Sequence, residues 1–117
     1  MTNKLVQKVF FEEDDIVLED LGDGVSRKLI TYDDRLMLVK VIFEKGAVGA
    51  IHHHPHTQIS YIEKGIFEVS IDGEKKLLQA GGAFYIPPNI PHGVLCIEAG
   101  VLLDSFSPMR DDFIKTK

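Results

Sequence analysis

Apolar residues recur along the chain with a period near two, in short bursts rich in Val, Ile, Leu and Phe that Gly, Pro and Asp separate. Alternation at that period sends successive side chains to opposite faces of an extended backbone, so the pattern predicts strands rather than helices. Nine strands are predicted, over 16–20, 25–32, 35–43, 58–63, 66–71, 75–78, 83–86, 93–97 and 101–106. That many strands in 117 residues leave little room for helices, and an all-β fold is expected. The turns carry their own chemistry. Asp72-Gly73 lies between two apolar bursts and suits a tight hairpin, because Gly tolerates the positive φ such a turn requires. Lys64-Gly65 and Gly81-Gly82 read as further reversals. Pro87, Pro88 and Pro91 lack backbone donors, so 87–91 is expected to be a rigid loop where strand pairing breaks.

Length and charge narrow the possibilities. A chain of 117 residues supports one compact domain, with N-terminal strands over 1–45, a barrel core over 46–106 and a tail over 107–117. Thirteen Lys and Arg against eighteen Asp and Glu give a net charge of −5 with no basic cluster, so nucleic acid is not an expected partner. The acidic positions Glu12, Glu13, Asp14, Asp15, Glu19, Asp20 and Asp23 read as a solvated face. No apolar run approaches the ~20 residues that cross a bilayer, so no membrane association is expected. The single cysteine, Cys96, reads as a small buried residue. With no basic-then-apolar start, a reducing, cytoplasmic setting is expected.

The chemistry concentrates where four of the five histidines fall within 52–56. On an extended backbone His52 and His54 project to one side and His53 to the other. Gln58, opening the next strand, can bring an amide oxygen to the same point, and His92, at the edge of the proline loop, can bring a third imidazole. Such a set holds a divalent metal and leaves coordination positions open, as a working site needs. An exposed histidine-rich loop that picks up stray metal is the competing reading. His53 and His56 read as flanking or mouth residues, and Tyr61, Phe84 and Tyr85 as packing.

The spacing of Gly46, His52, His54, Gln58 and Gly65 resembles the first motif of the cupins, with Gln where that motif usually has Glu. Gly81, Pro87, Asn89, His92 and Cys96 resemble the second, with Asn89 in place of a Gly and Cys96 in place of an Asn. The resemblance implies an antiparallel jelly-roll β-barrel with the metal inside. It also implies a homodimer joined through sheet edges and exchanged N-terminal strands, for which 5–11 and 16–18 are candidate contacts. Gln58 is the informative departure. An amide leaves a bound dication its full +2, a stronger trap for an anionic ligand, and favours Lewis-acid over redox work. Three imidazoles and an amide suit zinc, nickel, iron, cobalt or manganese.

A narrower resemblance rests on His52-x-His54-Pro55-His56-x-Gln58, the run from Ile86 to Gly93 and the stretch from Leu102 to Phe113. Together these are similar to the small cupins of pectin degradation, the KdgF type, which open the ring of 4,5-unsaturated uronates released by polysaccharide lyases. The resemblance implies a metal on His52, His54, Gln58 and His92, functional roles for Asp104, Phe106 and Arg110, and a small anionic sugar acid as ligand. Asp104 and Phe106 are two apart in a β pattern and share a face opposite Leu103 and Ser105. A carboxylate there can move a proton, Phe106 can wall the sugar, and Arg110 has the planar fork that grips a carboxylate. The plainer readings are that Asp104 bonds backbone amides, Phe106 is ordinary core and Arg110 pairs with Asp111 or Asp112. Three functions stay open: a metal-dependent uronate isomerase, a three-histidine non-haem dioxygenase, and a binding protein without turnover.

Overall fold

The computed structural model describes residues 8–114. Among them eight strands form: β1 (Glu19–Gly22), β2 (Val25–Asp33), β3 (Leu36–Phe43), β4 (Val48–His52), β5 (Thr57–Ile71), β6 (Glu74–Gln79), β7 (Ala83–Ile86) and β8 (His92–Ser107). Single 3-10 turns occupy Glu13–Asp15 and Asp111–Phe113. Every pairing is antiparallel. The long strands β5 and β8 pair with each other from Thr57↔Ser107 to Ile71↔His92. At one end they are flanked by β3 (Met37↔Phe106) and β7 (Gln58↔Ile86), and at the other by β4 (His52↔His92) and β6 (Ile66↔Gln79). Two half-sheets thus share two central strands, an antiparallel jelly roll. Phe43, Ile62, Phe67, Phe84, Ile86 and Leu102 fill one apolar cluster, and Met37, Val39 and Phe106 a smaller one. Each such side chain withdrawn from water stabilises the fold by roughly 1.5–3 kcal/mol.

The expected turns form where their residues allow. Asp72 and Gly73 both take positive φ, 51° and 84°, as a two-residue hairpin between β5 and β6 requires. Asn89 sits at φ 65° in the proline loop, and its N–H donates to the carbonyl of His54 at 2.7 Å, which ties that loop to the histidine segment.

The strand count needs correction. Stretches 58–63 and 66–71 are one strand, β5, as 93–97 and 101–106 are one strand, β8, while β4 was not predicted. Lys64-Gly65 is a bulge, not a reversal. In β5 the inward side chains are Gln58, Ser60 and Ile62 before the bulge and Phe67 and Val69 after it, so the inserted residue shifts the alternation by one. A phase jump in the sequence therefore looks like two strands. β4 escaped because Gly49 and Ala50 interrupt its apolar pattern.

Gly65 is irreplaceable at that bulge. Its φ is +91°, and a Cβ there would lie 2.6 Å from the carbonyl oxygens of Glu98 and Ala99. Backbone cannot move aside as a flexible side chain can. Gly65→Ala is expected to cost about 3 kcal/mol, read as a lower urea midpoint, from left-handed strain plus overpacking.

Candidate metal centre

The jelly roll brings three imidazoles together. His52 ends β4, His92 opens β8 directly opposite it in register, and His54 follows in the connection to β5. A ligating atom of each lies within 4.8 Å of the others, and the ring of His92 stands 4.5 Å from that of His52 and 4.8 Å from that of His54. Two backbone carbonyls orient the rings. Nδ1 of His52 donates to Ala50 O at 2.8 Å, and Nδ1 of His92 donates to Ile90 O at 2.9 Å. Each Nε2 is left with a free lone pair. In His92 that nitrogen is buried without a partner, as is Nδ1 of His54. A buried polar atom left unpaired costs about 1–3 kcal/mol, and an ion bound by His92 Nε2 removes that cost at this atom. Burial pushes the His92 imidazole down to about 4 and lowers that of His54, so both are neutral near pH 7, the form that ligates metal.

The amide of Gln58 joins the cluster from β5. Its Oε1 lies 3.0 Å from Nε2 of His54. Two donors at right angles on one ion, each at about 2.1 Å, stand about that far apart. From Gln58 a buried hydrogen-bond chain runs away from the histidines: Gln58 Nε2 donates to Ser60 Oγ at 2.9 Å, and the Ser60 hydroxyl donates to Asp104 Oδ1 at 2.6 Å. Register explains the contact, since Ser60 and Asp104 are directly paired between β5 and β8. Burial pushes the Asp104 carboxyl up to about 6, against the Ser60 hydroxyl and the Arg110 guanidinium, which both favour its ionised form. A carboxyl so placed exchanges its proton close to neutrality. The Phe106 ring meets His54 edge-on at 5.8 Å. His52, Gln58, His92, Asp104, Phe106 and Arg110 all line one cavity of about 160 Å³.

Comparison with known proteins gives the architecture a family. The cupin domain family matches residues 39–105. The pectin degradation protein KdgF of Dickeya dadantii (strain 3937) is 50% identical over 107 residues, 90% of this chain and 97% of that protein. This chain is a cupin of the KdgF group. Among solved structures, an RmlC-like cupin from Shewanella frigidimarina NCIMB 400 superposes with a TM-score of 0.89 at 42% identity, covering 92% of this chain and 96% of that one. KdgF from Halomonas sp. superposes with a TM-score of 0.87 at 39% identity, covering 92% and 99%.

In this cupin the three-histidine cluster suits a divalent metal; six of the seven residues singled out from the sequence line one cavity, and the seventh, His54, lies beside His52 and His92. Arg110 is already engaged. Its Nε and Nη2 donate to the two carboxylate oxygens of Asp112 at 3.1 and 2.9 Å, the plainer pairing foreseen for it, while its guanidinium lies 4.4 Å from the Phe113 ring centre. Arg27, which no local motif singles out, stacks on Phe113 at 3.9 Å and lines the same cavity. Ser60 was also missed, though its even spacing with Gln58 places it on the interior face. His53 is exposed, whereas His56 is buried beside His54 and Phe106. Tyr61 and Tyr85 do not pack inside; they face outward, and only Phe84 is buried, against the cavity. Cys96 packs in the larger apolar cluster, its thiol donating to Glu98 O at 3.0 Å.

Proposed function

We propose that this cupin linearises a 4,5-unsaturated uronate, the small anionic sugar acid that polysaccharide lyases leave in pectin or alginate breakdown. The observation that carries the reading is the buried Asp104 carboxyl, joined through Ser60 to the amide beside three metal-ready histidines in a cavity that also holds guanidinium groups. The kinship with a protein named for pectin degradation supports it. A divalent ion on His52, His54, Gln58 and His92 would supply Lewis acidity toward the sugar oxygens. Asp104 takes the proton of the anomeric hydroxyl as the C1–O5 bond opens, leaving an aldehyde at C1 and an enolate oxygen at C5. It then returns that proton to C4 as the enolate becomes a ketone. Substrate and product are isomers, so no electron acceptor is needed. Phe106 supplies an apolar wall. Arg110 binds the substrate carboxylate in the place Asp112 takes here, since one bidentate partner replaces another of the same shape.

The test adds lyase product to metal-loaded and to chelated protein and follows the ultraviolet absorbance of the conjugated enol acid. Loss of absorbance with the loaded protein alone is expected. Oxygen uptake would point instead to a dioxygenase on the same histidines, and tight binding without product to a binding protein.

The chain serves, in this reading, as one cupin domain in the cytoplasm, consistent with a free, buried cysteine and with no described helix long and apolar enough to cross a membrane. It acts as a homodimer. Ile59, Tyr61 and Tyr85 are exposed on the outer face of β5 and β7, and Val9, Phe10, Val17 and Leu18 are exposed along the N-terminal segment; 5–7 of the candidate stretch 5–11 lie outside the described residues. A second copy covering these residues would withdraw them from water. Sedimentation velocity reads the outcome directly, and a monomer at micromolar concentration refutes it.

A further inference from the structure

We infer that Ser60 is the positioning residue that decides which end of the Gln58 amide faces the histidines. The inference rests on the metal reading of His52, His54, Gln58 and His92. An amide presents two ends of nearly equal size, and only the oxygen end can ligate an ion. Shape alone does not choose between them; hydrogen bonding does. Ser60 is fully buried and owns a single hydroxyl hydrogen, which the Asp104 carboxylate accepts at 2.6 Å. The Ser60 oxygen then has only lone pairs to offer Gln58, and the Gln58 NH2, 2.9 Å away, is the end that can meet them. The amide oxygen must therefore point the other way, to within 3.0 Å of His54 Nε2. Turning the amide over would set its oxygen against the Ser60 oxygen and its NH2 against the imidazoles. Ser60 acts through Gln58 and need not touch substrate.

A double-mutant cycle tests this with metal affinity as the readout. Co(II) is titrated against a competing chelator, and its visible spectrum reports the donor set. In the native background Ser60→Ala is expected to weaken Co(II) binding about 10–100-fold, the usual loss when an outer partner of a ligand is removed. Gln58→Glu makes both ends of the side chain oxygen, so nothing is left to orient. In that background Ser60→Ala should change affinity less than about threefold, with an unchanged spectrum. Ser60→Cys, which keeps the volume but gives up the strong hydroxyl bonds, must behave like Ser60→Ala and carries the cycle if the alanine variant does not fold. Equal losses in both backgrounds, or no loss in the native one, overturn the orienting role while leaving the metal site standing. Failure of the native protein to bind Co(II) overturns the metal reading itself, and this inference with it.

Discussion

Asp104→Asn is expected to lower turnover by about 10²–10⁴-fold, the range that removal of a general acid–base group commands, and to leave the metal content of the protein unchanged. The substitution keeps the shape of the side chain and an oxygen that Ser60 can still reach, so the buried chain to Gln58 keeps its direction. What is lost is the ability to take and return a proton. The native pH profile should show the same group. Burial raises this carboxyl and a dication on the histidines and Gln58 draws it back down, so turnover falls along an acid limb at or below about 6, because the protonated acid can no longer accept the anomeric proton. The acid limb disappears from the residual activity of Asp104→Asn. Stability moves the opposite way from activity. A carboxyl whose folded value is about 6 against an ordinary 3.8 favours the fold below pH 4 and withdraws about 3 kcal/mol as pH rises to 6. At pH 8 the asparagine variant is therefore expected to be at least as stable as the native protein in urea. Full activity in that variant removes Asp104 from the reaction.

Different physical rules decide what could be read in advance. The histidine set was legible because a period of two is strict: His52 and His54 share a side and His53 does not, and the structure keeps that alternation even though His54 lies beyond the end of β4. Asp104 and Phe106 were legible for the same reason, as β8 buries every second residue from Gly100 to Phe106. β5 defeats the rule. Its bulge at Gly65 resets the alternation, and a local pattern cannot tell an inserted residue from a chain reversal. Ser60 lay hidden for another reason, since its partner is 44 positions away and only the pairing of β5 with β8 brings the two together. Arg27 enters the cavity from β2, held by Glu19 at 2.7 Å and by the Phe113 ring. A pairing between β1 and β2 and a stack on the C-terminal segment leave no local mark on the residues around 27.

His92→Ala is expected to reduce metal affinity about 10³-fold or more, beyond the 10–100-fold typical of an outer partner, because it removes a donor outright. Titration of the variant with Co(II) checks this, and retention of native affinity excludes His92 as a ligand. The same substitution has a second consequence, visible in urea melts of chelated protein. Burial holds His92 at about 4 against an ordinary 6.5, so the unfolded chain takes up a proton that the fold refuses, and stability is lost as pH falls from 6.5 toward 4. His54, also lowered by burial, acts in the same direction. Asp104 acts against both across nearly the same window, since its folded form holds a proton that the unfolded chain gives up. In the chelated native protein Asp104 offsets much of the His92 response, and His54 adds to the loss that remains. In His92→Ala the Asp104 response gains weight, and the loss of stability toward pH 4 shrinks. In Asp104→Asn the histidine response stands unopposed, and the loss steepens. Parallel pH dependences in the two variants would show that these groups do not titrate against each other inside the cavity.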